Sequence, residues 1–398
     1  MAKHRLLLVK VVLAVSVLLV ASVGTAAASD RTVTFVGALN PPSTKAFDIS
    51  WVENSTGKYV LADRANRAID LADATKGKAG QFNGFIGQGV FTGAVPAASC
   101  AAGANACSGP DGVLTDSAGL LWAGDGNSTI KVLNPTPNTG SAALIKSIPT
   151  CPATSSGCGT GGKFRADEES FDPVHHLIVM ANDAEGFLTF IHVDDKNPAA
   201  SAVVGHFFYS DNTLGVAPSV PGHATAGNGI EQSVWVPQTG LLYQAVPGCT
   251  PPSCTPARPG FIDAFDPVSM KLVDTFPVPG CDNGPTGLAL GPNQRFLGAC
   301  GNGAIPVEVR HGQTHTIIPN VGGADEIWFN PGDDNFYLGI GGPPAKLGVV
   351  DANDDHVVAV LAGKGGGHSV AAYAGNNRIF DPDSGGNGIS VFVSGRLH

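Results

Sequence analysis

A unit of three short strands recurs seven times along the chain, and this repeat restricts the possible folds more than any other feature. Each unit has a strand after an acidic or Gly/Pro-rich segment, a turn, an apolar strand, a second turn and a third apolar strand. The predicted first strands of the seven units cover residues 48–51, 111–115, 168–171, 231–235, 286–290, 326–329 and 369–373. Such an array predicts sheets arranged around an axis.

A fourth apolar segment follows all units except the last. These segments cover residues 82–86, 143–148, 202–208, 271–278, 315–318 and 357–361. Residues 32–36 form an isolated strand ahead of the first unit, and pairing it with the last unit would complete that sheet and close a ring. The sequence therefore predicts an all-β, seven-bladed β-propeller of four-stranded antiparallel blades. A β-sandwich or a row of small β domains does not explain the isolated strand.

The composition agrees with this class and excludes several others. The 398 residues include 53 Gly and 29 Pro, too many for a helical bundle or a coiled coil. A chain with 43% hydrophobic and 14% charged residues is not disordered. The formal net charge is −10 and no basic stripe occurs, which argues against binding to nucleic acid. We expect a small-molecule substrate or ligand.

Residues 1–28 have the order of a secretory signal peptide. Three cations at Lys3, Arg5 and Lys10 precede the apolar run 11–23, and small residues at 26–28 offer a cleavage site. The alternative is an uncleaved anchor, but the run is short for a membrane span and no stop-transfer charges follow it. We expect cleavage and a single domain over residues 29–398. This mature domain should have no membrane span and be a monomer, either secreted or periplasmic.

The cysteines support export. All eight lie in the mature part, in close pairs: Cys100 and Cys107, Cys151 and Cys158, Cys249 and Cys254, and Cys281 and Cys300. An even count with local spacing in an exported chain predicts disulfides, and no Cys-x-x-Cys or finger spacing supports a zinc site. The last pair marks two strand ends that antiparallel pairing would bring together.

Two strands carry a pattern in which an apolar run ends in Ala-Asp or Ala-Asn, at residues 59–63 and 179–183. Unit two adds Gly-Pro-Asp-Gly-Val at 109–113 and Gly-Leu-Leu-Trp-Ala-Gly-Asp at 119–125. These segments resemble the YVTN/NHL-type propellers, including the gluconolactonase-like group, over the whole mature chain. The resemblance implies a family that contains sugar-lactone hydrolases with a divalent ion in the tunnel, antibiotic-ring lyases, and exported propellers without known chemistry. The lactonase-like members are typically six-bladed, whereas this chain has seven units, and their ligands do not match here one by one.

The residues that begin the first strands are expected to line the mouth of the central channel, and most of them are acids. They are Asp48, Asp111, Asp167 or Glu168, Glu231 or Gln232, Thr286, Asp325 or Glu326, and His368. Confined carboxylates repel one another unless they bind a cation or protons. We predict one divalent cation held by some of Glu168, Glu231, Glu326, Asp48 and Asp111. Oxygen ligands favour Ca²⁺ first and then Mg²⁺, and a contribution from His368 would admit Mn²⁺ or Zn²⁺.

Two functions follow from this channel. The first is a metal-dependent, lactonase-like hydrolase or a lyase, in which Glu231, Glu326 or His368 acts as the base. The second is a non-catalytic binding or scaffold propeller that uses its disulfide-pinned loops, with the acids only fixing turns. No haem-attachment motif and no nucleotide-binding loop occur. The aromatic residues near the ends of the first strands, Trp51, Phe171, Trp235, Trp328, Phe329 and Tyr373, are expected to pack between blades.

Overall fold

The computed structural model describes residues 32–100, 103–152, 165–342, 344–363, 367–386 and 388–395. These residues form 27 β-strands and six short 3-10 helices. The predicted signal peptide at residues 1–28 lies outside the described residues. No helix in the described ranges is long and apolar enough to cross a membrane.

Seven antiparallel sheets follow one another along the chain, and each is one blade. Blade one contains β2 (Ser50–Glu53), β3 (Lys58–Asp63), β4 (Ala68–Asp73) and β5 (Gln81–Ile86). Blade two contains β6 (Val113–Thr115), β7 (Leu121–Asp125), β8 (Thr129–Leu133) and β9 (Leu144–Pro149). Blade three contains β10 (Glu169–Asp172), β11 (Leu177–Asn182), β12 (Phe187–His192) and β13 (Ala202–Phe208). Blade four contains β14 (Ser233–Val236), β15 (Leu241–Val246), β16 (Phe261–Asp266) and β17 (Lys271–Pro277).

The remaining blades complete the ring. Blade five contains β18 (Leu288–Gly291), β19 (Arg295–Cys300) and β20 (Gly303–Glu308). Blade six contains β21 (Ala324–Asn330), β22 (Asn335–Ile340), β23 (Lys346–Asp351) and β24 (Val357–Ala362), and blade seven contains β25 (Ala371–Tyr373), β26 (Arg378–Asp383) and β27 (Gly388–Ser394). The 3-10 helices are Ala97–Ser99, Asn105–Cys107, Gly140–Ala143, Asp183–Glu185, Pro198–Ala200 and Pro292–Gln294. The inner strands of successive blades are neighbours all round the axis, and β25 of blade seven contacts β2 of blade one.

The first strand of the chain closes this ring, as the sequence predicts. Strand β1 (Val33–Leu39) pairs antiparallel with β27 and becomes the outermost strand of blade seven. The last blade therefore contains both ends of the described chain. This arrangement covers the sheet edges that an open array would expose.

Blade five departs from the predicted four strands. Its fourth position holds only two isolated bridges, Val307 to Thr314 and Ala304 to Ile318, instead of a continuous strand over residues 315–318. Pro306 lies in β20 between these bridges, and its carbonyl oxygen accepts the outward hydrogen bond from His315. Because proline has no N–H to donate back to the outer segment, the hydrogen-bond ladder between β20 and that segment is interrupted.

The core lies between the faces of neighbouring blades. The middle strands are buried on both faces; β11, for example, has six buried residues and no exposed one. The outermost strands β5, β13 and β17 alternate between more and less exposed residues because only one of their faces meets the next blade. Hydrophobic burial between blades therefore fixes the radial position of the strands around the axis.

Among the described residues three disulfides are formed, and each lies in a connection or strand end on the face where the first strands begin, which we call the inlet face. They join Cys100 to Cys107, Cys249 to Cys254, and Cys281 to Cys300. The fourth predicted pair, Cys151 with Cys158, includes a residue outside the described ranges. Three disulfides are typical of a protein that resides in an oxidising, extracytoplasmic environment.

Candidate functional site

The register of the inner strands decides which side chains reach the mouth of the channel. Five residues on the inlet face occupy the same position, because each donates its backbone N–H to the carbonyl oxygen of a small residue in the second strand of its blade. They are Asp48, Asp111, Asp167, Glu231 and Thr286, with partners Ala62, Gly124, Ala181, Ala245 and Ala299. These residues lie just before the ladder strands, two residues earlier than β2, β6, β10, β14 and β18 begin.

Three of these positions bring aspartates together. Asp48, Asp111 and Asp167, from blades one, two and three, are all buried. Each offers an oxygen, and the three oxygens lie within 4.8 Å of one another. The structure thus joins the predicted Asp48 and Asp111 with Asp167, whereas Glu168 lies one residue further along the channel. We call this group the aspartate triad.

Arg64 is the first of two arginines that neutralise the aspartate triad. It lies in the turn between β3 and β4, and its Nη2 donates to Asp48 Oδ2 at 2.5 Å. Its Nε donates to Asp111 Oδ1 at 3.1 Å, and its Nη1 donates to Asn105 Oδ1 at 2.6 Å. The arginine side chain is itself 9% exposed, so these charges meet almost without water.

Arg165 approaches the triad from the loop before blade three. Its Nη2 lies 2.8 Å from Asp167 Oδ2 and 2.8 Å from Asp183 Oδ2. Its Nη1 lies 3.8 Å from Asp48 Oδ2. A single guanidinium group therefore forms ion pairs with carboxylates of both blade one and blade three.

His368 of blade seven completes this layer. Its Nε2 lies 2.5 Å from Asp48 Oδ1 and its Nδ1 lies 2.8 Å from Asp325 Oδ2. Burial alone would lower the pKa of His368, but the negative charges of Asp325 and Asp48 outweigh it and raise that pKa well above its usual value. The ring is an imidazolium that donates from both nitrogens, so in this state it supplies positive charge and cannot accept a proton.

The charges of this layer do not balance if every aspartate is ionised. Two arginines and one imidazolium face five carboxylates, those of the triad with Asp183 and Asp325, which leaves two negative charges. Burial raises the pKa of Asp111 and of Asp167 well above the usual range despite the attraction of Arg64 and Arg165. Asp111 Oδ2 is buried and accepts no hydrogen bond within the described residues. The layer therefore has uncompensated negative charge and an unpartnered carboxylate oxygen, so it can accept an added cation or protons.

The predicted glutamates form a second layer. Glu168 and Glu326 come from blades three and six and are joined by a side-chain hydrogen bond, so they meet across the axis. Burial and the neighbouring negative charges raise the pKa of Glu168 well above its usual range, and burial raises the pKa of Glu326 to about 8. Two carboxyl groups joined by a hydrogen bond in a low-dielectric site retain a proton at neutral pH, which suits them to store and transfer one.

Glu231 lies at the level of the aspartate triad, in the equivalent position of blade four. Burial, followed by the charges of Asp183 and Asp325, raises its pKa well above the usual range, and Arg165 opposes the shift. Its neighbour Gln232 occupies the axis at the level of Glu168. The Gln232 amide accepts from the Leu288 N–H at 2.5 Å and donates to the Ile327 carbonyl oxygen at 3.4 Å, which ties blade four to blades five and six.

Glu169 is a channel residue that the sequence analysis missed. Both of its carboxylate oxygens are buried and have no hydrogen-bond partner among the described residues. Burial and the charges of Asp167, Asp111 and Asp48 raise its pKa well above the usual range. A Cβ on Gly112 of blade two would lie 2.0 Å from Glu169 Oε2, so only glycine allows the blades to approach this closely. The run of three acids at 167–169 was the available signal, since alternation along a strand puts the first and third on one side.

A second acidic group lies away from the channel. Asp351, Asp354 and His356 are close enough to hold a metal ion, and two of the three are exposed on the turn between β23 and β24. His356 Nδ1 lies 2.5 Å from Asp354 Oδ1. This group shares no residue with the predicted channel ligands.

The predicted aromatic residues lie at the other end of the channel. Trp51 and Trp328 meet edge to face with ring centroids 5.1 Å apart, and both also pack against core clusters between blades. Trp235, Phe171 and Phe329 line the same opening. At about 3.3 Å per strand residue, this opening lies on the order of 10 Å along the channel from the aspartate triad.

Comparison with known proteins supports the fold and adds no activity. No protein-family model matches the chain, and no curated protein matches its sequence. A chain of Kuenenia stuttgartiensis hydrazine synthase is similar in structure, with a TM-score of 0.64 and 11% identity. The similarity covers 90% of this chain and 98% of the other. At this identity it shows a shared propeller architecture alone, and the resemblance to YVTN/NHL-type repeats stays a likeness of repeat pattern.

Proposed function

We propose that the protein is an exported propeller that binds one divalent cation at the aspartate triad and acts on a small cyclic ester or lactone. The observation that carries the proposal is the convergence of Asp48, Asp111 and Asp167, three buried carboxylates from three blades with oxygens within 4.8 Å of one another. The two uncompensated negative charges of this layer match the charge of one such cation. Export rests on the three disulfides and on the predicted leader at residues 1–28.

The donor set favours Ca²⁺, with Mg²⁺ second. All three ligand groups are carboxylates, which hard cations prefer. Because both nitrogens of His368 are engaged with Asp48 and Asp325, the imidazole has no lone pair to offer to Zn²⁺ or Mn²⁺. A divalent cation in this position would polarise a carbonyl oxygen of the substrate.

Side chains of the protein would carry out the proton transfers that ester hydrolysis requires. Glu326, with its pKa of about 8, is mostly protonated at neutral pH, so the base is its ionised form, which would take a proton from an attacking water and becomes more populated as pH rises towards 8; Glu168 holds the other end of the hydrogen bond. Glu231 lies at the level of the triad and is half-buried, and its raised pKa favours the protonated form, which suits it to donate a proton to a leaving group. His368 contributes a fixed positive charge that would stabilise a developing alkoxide or carboxylate.

The test is a screen of lactones and other small esters with the purified mature protein, with and without EDTA. We expect turnover that chelation abolishes and added Ca²⁺ restores. Glu326→Gln should lower kcat by at least about 100-fold, the usual contribution of a positioned base. Glu308→Gln, which changes a half-exposed acid on blade five, is the matched control and should keep full activity. Full activity in both the chelated protein and Glu326→Gln would refute this mechanism.

One observation favours a second function, a non-catalytic binding propeller. Arg64 and Arg165 already pair with the triad, so the inlet layer could be a fixed ionic network that only holds the blades and their long loops in place. This alternative predicts no ester turnover and no effect of EDTA. It also predicts that a binding partner is retained when Glu326 is changed to Gln.

A further inference from the structure

The opening opposite the inlet face is a formed cavity and not only a seam between blades. Its volume is about 360 Å³, within the range of small-molecule sites. Five aromatic side chains from blades one, three, four and six surround it, and we call this group the aromatic vestibule. Its members are Trp51, Phe171, Trp235, Trp328 and Phe329.

The hydroxyl and side-chain amide groups that line the vestibule are already engaged in hydrogen bonds. Ser170 and Ser233 share a hydrogen bond of 2.9 Å, and both ends of the Gln232 amide are used. Thr115 donates to Glu53 at 2.6 Å. The three indole nitrogens have no hydrogen-bond partner among the described residues, but they are buried, so a ligand in the opening does not reach them. A sugar or another ligand that depends on hydrogen bonds would therefore find few free partners here.

The charge of the lining has one sign. Glu169 reaches both the vestibule and the narrower cavity behind it, and the described residues that line the vestibule include no Lys, Arg or His. Its buried carboxyl has no hydrogen-bond partner within the described chain. An anion is disfavoured in such a site, whereas a bound cation would stabilise the ionised form of the Glu169 carboxyl.

We propose that the aromatic vestibule binds a small organic cation, an alkylammonium ion whose methyl groups contact the indole faces while its charge faces Glu169. Aromatic faces attract such ions through the ring quadrupole, and alkyl groups suit an apolar wall that offers no hydrogen bonds. Ionic and apolar complementarity are thus both satisfied by one ligand class. The vestibule is separated from the aspartate triad by the Glu168–Glu326 bridge, so this inference does not depend on the proposed hydrolysis.

The test uses two probes of the same shape and different charge, choline and its neutral carbon isostere 3,3-dimethylbutan-1-ol. Binding is followed by intrinsic fluorescence, because three of the four tryptophans line the vestibule and Trp122 is fully buried elsewhere. We expect saturable binding of choline that is at least tenfold tighter than that of the isostere. Binding should persist in EDTA, which separates this site from the aspartate triad.

Two variants locate the site, and one serves as the control. Glu169→Gln keeps the shape of the side chain and should weaken choline binding at least tenfold without affecting the isostere. Trp328→Leu should weaken it by a similar factor, whereas Glu308→Gln on the outer surface should leave it unchanged. Thermal melting confirms that each variant is folded. Equal affinity for both probes, no saturable binding of choline, or unchanged choline affinity in folded Glu169→Gln would overturn the proposal.

Discussion

Replacement of Arg64 by methionine tests the electrostatics of the inlet layer. The guanidinium group contacts Asp48 and Asp111, both fully buried, and no other basic group is within ion-pair distance of Asp111 in the described ranges. Removing one partner of a buried ion pair costs about 3–5 kcal/mol, because the other charge is left without compensation. Unfolding entropy of about 2.1 cal/mol/K per residue, applied to the 398-residue chain, converts this loss into a fall in Tm of roughly 4–6 °C.

The assay is chemical and thermal denaturation in EDTA, with Arg67→Met as the matched control. Arg67 lies in the same turn, but its Nε donates to the Phe91 carbonyl oxygen at 2.9 Å, a neutral partner, so its loss should cost about 1 kcal/mol. Excess Ca²⁺ should then stabilise Arg64→Met more than it stabilises the wild type, because the competing internal cation is gone. Unchanged stability of Arg64→Met in EDTA, or equal stabilisation of both proteins by Ca²⁺, would refute this reasoning.

Three further predictions concern stability. Burial raises the pKa of Asp381 to about 8, so the folded state retains a proton that the unfolded state releases near pH 4. This carboxyl should therefore make stability fall as pH rises from about 4 to 8, by up to about 1.4 kcal/mol per unit. Asp381→Asn should lack this contribution, so its stability in urea denaturation should fall less steeply with pH than that of the wild type; a parallel pH dependence in both proteins would contradict the prediction. Gly112→Ala should lower the free energy of unfolding by about 1–3 kcal/mol because its Cβ would collide with Glu169 and with the Asp167 carbonyl oxygen. A variant as stable as the wild type would contradict this and would show that the blades can separate here. Replacing both Cys281 and Cys300 by Ala should cost about 3 kcal/mol in non-reducing denaturation, since their bridge closes a segment of 19 residues, and an unchanged midpoint would mean that the bridge adds nothing.

Most of the architecture could be predicted from the sequence because repetition makes each weak strand signal support the others. The seven units, the closing strand β1 and the Cys281–Cys300 bridge all follow from spacing and apolar pattern. The fourth strand of blade five is interrupted because Pro306 has no N–H on the side that faces the outer segment. The sequence does not show in which direction a backbone N–H of β20 points. That direction is a property of the register and not of the apolar pattern.

The candidate site was harder to predict for two physical reasons. A shift of one residue along a strand moves a side chain to the other face, so the sequence could not distinguish Asp167 from Glu168 as the partner of Asp48 and Asp111. The arginines come from a hairpin turn and a loop, positions that carry no strand periodicity, and their long side chains reach the axis from there. The acids alone suggested an uncompensated ring, whereas Arg64 and Arg165 neutralise part of it.

The central claim, a divalent cation at the aspartate triad, is tested most directly by elemental analysis and Ca²⁺ titration of the purified protein. The comparison is between wild type, Asp167→Asn in the triad and Asp354→Asn in the surface group on blade six. The account predicts close to one divalent ion per wild-type chain, a higher melting temperature with the ion than in EDTA, and loss of both in Asp167→Asn but not in Asp354→Asn. No bound ion with identical melting curves in EDTA and Ca²⁺, or an ion lost only in Asp354→Asn, would contradict it.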